Sequence, residues 1–397
     1  MRIRNVLAAA AAVAITAATI AGIHTPASAA TTTLYVATNG NDGNAGTQAA
    51  PLATIQKAIS LITAGGTVSV RGGTYALTSN IQITRSGTAS APITLTAYGS
   101  ERVVIDGEAL GYTPGAVGST IPAAQRGAIH MEASWWRLAG LEIIHGPYGI
   151  YCAGCNNNTF DRIVTRDNYE TGFQLQGASA NNRILSLDSY GNRDPRKNGE
   201  SADGLGIKEG SGSGNVVRGA RLWNNVDDGF DAWMFTSPIT IQDTVAYGNG
   251  YNRWSIPSFS GDGNGLKLGG SGGTGPAAAH AVSNTFAFSN AAHGFTDNGN
   301  TGAITINRST AWKNAKTGFD VDGGSTTRLT ANLAAGNKTS VALGSSTASG
   351  NSWNIGGTWT FVSIDQSTIT GARNTDGSIR SSSFLVPANG TAVGARI

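Results

Sequence analysis

A short pattern recurs along the middle of the chain and constrains the fold more than any other feature. The pattern is a glycine followed by phenylalanine or leucine, and its copies are spaced irregularly, by roughly 24 to 36 residues. An apolar run ending in asparagine precedes each copy and occurs once more after the last one. The glycines are Gly172, Gly204, Gly229, Gly265, Gly294 and Gly318, and the asparagines are Asn168, Asn192, Asn225, Asn249, Asn290, Asn314 and Asn337. Repeats of this kind indicate a solenoid, in which each unit stacks on the next.

The solenoid that these units predict is a parallel β-helix. A unit of about 24 residues has room for three short strands, and its asparagines would stack as a ladder inside one turn. The composition agrees, because 55 glycines and only 13% charged residues are typical of many short strands joined by turns. A leucine-rich repeat or a β-propeller is the rival, but the chain lacks the L-x-x-L-x-L and WD motifs of those folds. We therefore expect an all-β fold.

The beginning of the chain has the pattern of a secretory signal peptide. Residues 1–29 combine Arg2 and Arg4, an alanine-rich apolar run and a cleavage site at Ala27-Ser28-Ala29. A membrane anchor is the alternative, but no later apolar run is long enough to span a bilayer. We expect a secreted, extracellular protein with no membrane partner.

The rest of the chain, residues 30–397, is expected to form a single β-helix domain, because no proline- or serine-rich linker interrupts it. Within residues 30–66, apolar residues at helical spacing predict a short N-terminal helix that caps the open end of the solenoid. Coils are expected over about residues 67–345. The glycine-, serine- and threonine-rich residues 346–397 are expected to close the other end.

Charge and cysteine content restrict the possible functions. The chain has 27 lysines and arginines against 24 acidic residues and no clustered basic face, so nucleic acid is not an expected partner. The only cysteines are Cys152 and Cys155, and export favours a structural disulfide between them over free thiols. This pair alone offers too few ligands for zinc and lacks a thioredoxin-like context.

Stacking the repeats brings chemically active side chains together. Adjacent coils lie about 4.8 Å apart, so residues at the same offset from the shared glycine form columns. One residue before the glycine, Asp203 lies over Asp228; two residues after it, Lys267 lies over Asp231. Asp227 extends the same corner, so four carboxylates from two coils are expected beside one lysine.

Carboxylates this close require a cation. Two unit charges about 5 Å apart repel by roughly 3 kcal/mol at an effective dielectric near 20. Calcium takes roughly six to eight oxygen ligands and tolerates irregular geometry, whereas zinc or copper would require histidine or cysteine. The EF-hand loop is absent, and a solvated acidic turn is the alternative. We expect Asp203, Asp227, Asp228 and Asp231 to bind Ca²⁺.

Three segments carry a resemblance to a known family: NGESADG, WNNVDDGFD and GNGLKLGG, at Asn198–Gly204, Trp223–Asp231 and Gly263–Gly270. With the N-terminal YVATNGNDGNAGTQAAPLATIQKA and VRGGTY, they resemble polysaccharide lyase family 9, secreted pectate lyases built on a right-handed parallel β-helix. The resemblance covers most of the chain after the signal segment and weakens after about residue 340. It implies that the four aspartates bind calcium and that Lys267 is the catalytic base, and all five positions match.

The resemblance also implies the reaction and the substrate. Polygalacturonate, an acidic polymer of plant cell walls, would be cleaved by β-elimination, which removes the C5 proton and expels the C4 oxygen. Calcium on the sugar carboxylate would stabilise the developing charge. The sequence does not name the group that protonates the leaving oxygen, and water is the default. Lys267 must be neutral to accept the proton, and free lysine has a pKa near 10.4, so we expect an alkaline optimum.

Other basic residues are weaker candidates: Lys208 for the catalytic base or for substrate binding, and three arginines for substrate binding. Lys208 has the same strand parity, but we expect it about 6.6 Å further along and one coil beyond the acids. Arg193 and Arg196 lie in a basic loop before the metal coil, and Arg253 lies in the longest insertion. These arginines could hold uronate carboxylates, although a solvated surface position explains them equally well. His293 continues the column of Asp228 and is expected to be a stacking or substrate-side residue rather than a metal ligand.

Two other functions remain open. A polygalacturonase also combines a β-helix with paired aspartates, but it would hydrolyse the polymer with a carboxylic acid as proton donor. A non-catalytic polysaccharide-binding β-helix would explain the repeats but not the convergence of acids and lysine. Calcium dependence separates the lyase from the hydrolase, and we expect a monomeric lyase.

Overall fold

The described strands build a parallel β-helix, as the repeats predict. The computed structural model describes residues 32–270 and 277–397, so the predicted signal segment lies outside it. Within the described residues the strands form three sheets with parallel neighbours, and each coil passes from sheet 1 to sheet 2 to sheet 3. Residues from Thr32 onward belong to one compact unit. No described helix is both long and apolar enough to cross a membrane.

Neighbouring strands within each sheet belong to successive coils of the solenoid. Sheet 1 consists of β1 (Thr33–Val36), β2 (Thr67–Val70), β5 (Ile93–Ala97), β8 (Trp136–Ala139), β11 (Thr159–Asp161), β14 (Arg183–Leu185), β17 (Asn215–Arg218), β20 (Ile239–Gln242), β23 (Ala281–Ser283), β26 (Thr305–Asn307), β29 (Arg328–Thr330) and β32 (Thr347–Ser349). Sheet 2 consists of β3 (Gly73–Ala76), β6 (Val103–Asp106), β9 (Leu141–Ile144), β12 (Val164–Arg166), β15 (Asp188–Tyr190), β18 (Arg221–Trp223), β21 (Val245–Tyr247), β24 (Phe286–Phe288), β27 (Thr310–Trp312) and β30 (Leu333–Ala335). Sheet 3 consists of β4 (Ile81–Ile83), β7 (Ile129–Met131), β10 (Ile150–Ala153), β13 (Phe173–Ala178), β16 (Leu205–Ser211), β19 (Phe230–Asp231), β22 (Leu266–Lys267), β25 (Phe295–Thr296), β28 (Thr317–Asp320) and β31 (Thr339–Ala342). The α-helices are α1 (Ile55–Leu61), α2 (Ser352–Ile355) and α3 (Ser367–Thr370), and single 3₁₀ turns occur at Ala123–Gln125 and Pro195–Lys197.

Apolar side chains of successive coils fill the space between the sheets. In sheet 3 the residue after each shared glycine points inward, and these side chains are fully buried in one column: Phe173, Leu205, Phe230, Leu266, Phe295 and Phe319. Burying each one contributes about 1.5–3 kcal/mol. Cys152 and Cys155 are also fully buried, and they are joined by the expected disulfide.

The predicted asparagine ladder runs along the corner between sheets 2 and 3. Each side-chain amide donates to the Oδ1 atom of the next asparagine at 2.8 to 3.1 Å, from Asn168 through to Asn337. The same Oδ1 atoms accept backbone N–H groups, so the ladder satisfies buried polar groups of the turn. A second, shorter ladder of Asn158, Asn182 and Asn215 lies after sheet 3.

Helix α1 lies beside the first strands of the solenoid. Thr54 caps its N-terminus by accepting the backbone N–H of Lys57, and the apolar face of Ile55, Ala58 and Ile59 is buried. The helix contacts β1, β2 and β4. Its role as a cap of the open end stays a prediction.

Most of the C-terminal segment lies along the side of the solenoid rather than at the end, where it was predicted. Its first residues do lie at the last coil: β32 pairs with β29, α2 contacts β30, and the ring centres of Trp353 and Phe319 are 5.3 Å apart. The residues after α2 run back along the outer face of sheet 2, where Phe384 packs against Phe288 and Trp312. Large aromatic side chains on that outer face need a cover, and the glycine-rich composition of the segment concealed the few apolar residues that provide it.

The asparagine ladder should carry a measurable share of the stability. Asn314→Ala removes the acceptor of two buried donors of Asn290, so the free energy of unfolding should fall by about 2–3 kcal/mol. Chemical denaturation of the variant measures this, with the exposed Asn389→Ala as the control. Equal stabilities of the two variants would contradict a structural role for the ladder.

Candidate active site

The register of sheet 3 places the predicted residues side by side. Asp231 in β19 pairs with Gly206 in β16 on one side and with Lys267 in β22 on the other. One position ahead of the shared glycine, the carbonyl of Asp228 accepts the backbone N–H of Gly204, which brings Asp203 and Asp228 together. Both predicted columns are therefore confirmed. Since Phe230 and Leu266 point into the core, the side chains of Asp231 and Lys267, which follow them, face outward.

Four carboxyl groups converge at this corner and are almost fully buried: Asp203, Asp227, Asp228 and Asp231. Ligand oxygens of Asp203, Asp228 and Asp231 lie within 4.8 Å of one another, and those of Asp227, Asp228 and Asp262 form a second group of the same size. Asp262 was missed by sequence reasoning. It lies in an insertion, and its only signal is its place two residues before Asn264, which continues the column of Asp228.

Backbone N–H groups hold one oxygen of several of these carboxylates. Asp228 Oδ1 accepts the backbone and side-chain N–H groups of Asn264 at 2.6 and 2.9 Å. Asp227 Oδ1 accepts the N–H of Asp262 at 2.6 Å, and Asp231 Oδ1 accepts the N–H of Trp233 at 2.8 Å. Asp228 Oδ2 is buried and has no hydrogen-bond partner. An oxygen in this condition is suited to a cation.

Burial and mutual repulsion raise the pKa of most of these carboxyl groups. Loss of hydration raises the pKa of Asp228 to about 8 and that of Asp203 to about 6, and it raises the pKa of Asp227 well above its ordinary value. For Asp231 burial acts in the same direction, but the ammonium groups of Lys267 and Lys208 outweigh it and lower the pKa. The cluster therefore resists holding all of its carboxyl groups ionised near neutral pH unless a cation compensates them.

Two lysines extend into the cluster from different coils. Lys267 Nζ lies 2.8 Å from Asp262 Oδ2 and 3.5 Å from Asp228 Oδ2. Burial acts to lower the pKa of Lys267, but Asp231, Asp228 and Asp227 outweigh it, so that the pKa lies above its usual range. Lys208 Nζ lies 2.7 Å from Asp203 Oδ2 and 3.1 Å from Asp231 Oδ2. The expectation that Lys208 stands apart from the acids is therefore wrong.

The cluster opens into a cleft of about 720 Å³ on the outer face of sheet 3. Lys208, Asp231, Asp262 and Lys267 line the cleft, and the half-buried ring of Trp233 forms part of its wall. A molecule in this cleft would reach both lysines and the carboxyl groups of Asp231 and Asp262.

In the described part of the chain, the predicted arginines do not join the cluster of carboxyl groups and lysines. Arg196 is buried and pairs with Glu170, so its prediction as a uronate ligand is wrong: the guanidinium neutralises a buried carboxylate. Arg193 stacks on Tyr169, with its guanidinium 4.5 Å from the ring centre, and Arg253 lies 5.3 Å from the ring of Tyr251. Their roles in substrate binding stay predictions.

His293 continues the column of Asp228 at the backbone level. Its N–H donates to Asn264 Oδ1 at 3.2 Å, while its Nδ1 atom lies 3.6 Å from Asp320 Oδ2, away from the four predicted ligands. The role of His293 as a stacking or substrate-side residue stays a prediction.

The donor set fits a hard divalent cation. The groups that could hold an ion here are all carboxylates, and one buried oxygen of Asp228 has no hydrogen-bond partner. Calcium binds such oxygen sets, whereas zinc and copper prefer histidine and cysteine.

Comparisons with known proteins agree with this geometry. The family model described as "Pel9A-like, right handed beta helix region" matches residues 34–337. Pectate lyase PEL9 of Emericella nidulans is 52% identical over 91% of this chain and 94% of its own length. Pectate lyase L of Dickeya dadantii is 31% identical over 91% of this chain and 85% of its own.

Two solved structures share the whole architecture. The crystal structure of pectate lyase Pel9A superposes with a TM-score of 0.77 at 30% identity, over 92% of this chain and 91% of that one. A rhamnogalacturonan lyase superposes with a TM-score of 0.75 at 26% identity, over 91% and 99% of the two chains. Fold, site and relatives together define a polysaccharide lyase. The chain belongs to the Pel9A-like right-handed β-helix family.

The raised carboxyl pKa values predict how stability depends on pH without calcium. Folded Asp228 and Asp203 keep their protons to about pH 8 and about pH 6, whereas in the unfolded chain they ionise near their ordinary value of 3.8. This contribution to stability is present below about pH 4 and is lost as the pH rises towards 8. In chelator, Asp228→Asn should therefore flatten the fall of the Tm between pH 4 and pH 8.

The control for this experiment is Asp365→Asn, because Asp365 is exposed and its pKa is lowered by hydrogen bonds from Ser367. Its Tm profile should follow that of the parent chain. A profile of Asp228→Asn with the parental slope would contradict the raised pKa of Asp228.

Proposed function

We propose that this chain is a calcium-dependent pectate lyase that cleaves polygalacturonate by β-elimination. The observation that carries the proposal is the buried carboxylate cluster with Lys267 at its edge, open to a cleft. The relatives named pectate lyase support the substrate, because two of them match nearly the whole chain. The proposed calcium ligands are Asp203, Asp227, Asp228 and Asp231.

Lys267 is the proposed catalytic base. Its Nζ atom takes the C5 proton of a galacturonate unit, the electrons of that C–H bond form the C4–C5 double bond, and the C4–O bond breaks. Water protonates the leaving oxygen. Calcium, when bound, supplies electrostatic stabilisation of the charge on the uronate carboxylate. Since only a neutral amine accepts a proton, the rate should rise towards alkaline pH.

The surrounding residues position Lys267 and determine its pKa. Asp262 and Asp228 fix the ammonium group at the cleft wall, and the column register fixes the backbone of β22 beside Asp231. The nearby carboxylates hold the pKa of Lys267 high. A positive ion among those carboxylates would offset their effect and favour the neutral amine.

A hydrolase is less consistent with this arrangement. Glycoside hydrolases place two carboxyl groups on opposite sides of the bond, about 5–5.5 Å apart for retention and about 6.5–9.5 Å for inversion. Here the carboxylate oxygens within each group of three lie within 4.8 Å of one another, and two lysines pair with them, so no two of these carboxyl groups stand on opposite sides of a bond. A binding-only protein would not need a buried, repelling cluster.

Secretion is part of the proposal. The pattern of residues 1–29 and the cell-wall location of the proposed substrate support an extracellular enzyme. We propose that the chain acts as a monomer.

The test is incubation of the purified chain with polygalacturonate, followed by ultraviolet absorbance of the C4–C5 double bond. Absorbance should rise, chelator should abolish the rise, and added calcium should restore it. New reducing ends without absorbance would assign the chain to the hydrolases. A parallel reaction with rhamnogalacturonan tests whether the chain instead cleaves the polymer for which the second structural relative is named.

Lys267→Ala should lower kcat by about 10²–10⁴-fold, the usual contribution of a general base. The matched control is Lys313→Ala, because Lys313 lies over the ring of Trp312 on sheet 2. If Lys267→Ala keeps more than about a tenth of the parental kcat, another group takes the proton.

A further inference from the structure

Lys208 forms two close ion pairs within the carboxylate cluster. The residue is 8% exposed, and its Nζ atom lies 2.7 Å from Asp203 Oδ2 and 3.1 Å from Asp231 Oδ2. Lys267 pairs with two other carboxylates, Asp228 and Asp262. The two lysines therefore divide the cluster between them.

A glycine makes the position of Lys208 possible. Lys208 stands two residues beyond Gly206 on β16, and its side chain folds back over that glycine towards Asp231. A Cβ atom on Gly206 would lie 3.3 Å from Lys208 Cε and 3.5 Å from Gln174 Oε1. A branched side chain at position 206 would occupy the space through which the lysine reaches the acids.

Lys208 uses the same carboxylates as the proposed calcium ion. Asp203 and Asp231 belong, with Asp228, to the group whose oxygens approach within 4.8 Å of one another. An ammonium group and a divalent cation that share two carboxylates oppose each other's binding, because each lowers the negative charge that attracts the other.

We infer that Lys208 is a tethered counter-ion of this cluster, a positioning residue that neutralises Asp203 and Asp231 in the calcium-free protein and competes with calcium for them. The inference rests on the proposed calcium site. It gives the enzyme a cluster that is assembled before the metal binds, at the cost of a weaker affinity for calcium. Lys208 also lines the cleft, so on displacement its ammonium group stays beside the substrate path.

The test is isothermal titration of calcium into the metal-stripped full chain, together with the Tm in chelator. Lys208→Met should lower the Kd for calcium by roughly tenfold, within the usual range for coupled sites, and should lower the Tm in chelator by several degrees. Gly206→Val keeps the lysine but blocks its path, so its Kd should change in the same direction. Lys208→Arg should keep both values near those of the parent.

Lys197→Met is the matched control. Lys197 also lines the cleft, but its Nζ atom bonds to Ser201 Oγ at 3.2 Å and lies 3.8 Å from Glu170. Its calcium Kd should stay within about twofold of the parent, well below the coupling expected for Lys208.

Each outcome decides a different claim. An unchanged or weaker calcium affinity in both Lys208→Met and Gly206→Val would overturn the counter-ion role while leaving the calcium site intact. A parent chain that binds no calcium would overturn the proposed metal site and the counter-ion role with it. If Lys208→Met does not fold, Gly206→Val alone decides the question.

Discussion

In-register parallel pairing between coils is the interaction on which the rest of the structure depends. The repeats differ in length, yet backbone hydrogen bonds in sheet 3 align the shared glycines, so Gly206, Asp231 and Lys267 become neighbours although 25 and 36 residues separate them. The asparagine ladder supports this register at the adjacent corner, because each amide bonds to the next coil. Insertions leave the columns intact and change only what surrounds the cleft.

The second constraint is charge balance in a desolvated corner. Buried carboxylates are costly, and the pKa values of Asp228 and Asp203 rise to about 8 and about 6. Two lysines compensate these carboxylates in place of solvent, and each lysine pairs with two different acids. The proposed chemistry uses the same constraint, since a calcium ion that compensates these carboxyl groups would lie beside the base.

Much of the fold and the centre of the site could be predicted, because both depend on the repeat. The columns of Asp228 and Lys267 follow from one glycine offset, and the ladder follows from one asparagine position. The conformation of a long side chain does not follow from its position in the repeat. Lys208 was expected about 6.6 Å further along and one coil beyond the acids from its strand offset alone, whereas its side chain folds back over Gly206.

The sequence also did not predict ion pairs between distant residues or the positions of residues in insertions. Arg196 looked like a surface residue in a basic loop, but its partner Glu170 stands 26 positions earlier, on another coil. Asp262 enters the cluster from an insertion that the repeat does not align. The C-terminal segment was assigned to the end of the solenoid because its composition gave no pattern, whereas Phe384 anchors it on the side.

The central claim is that the stacked aspartates form a calcium site beside a lysine base. A crystal structure of the chain grown with calcium, measured for anomalous scattering, tests it most directly. We predict a metal peak in contact with Asp203, Asp227, Asp228 and Asp231, with Lys267 facing the cleft. A peak elsewhere, or none at these carboxylates in crystals with saturating calcium, would contradict it.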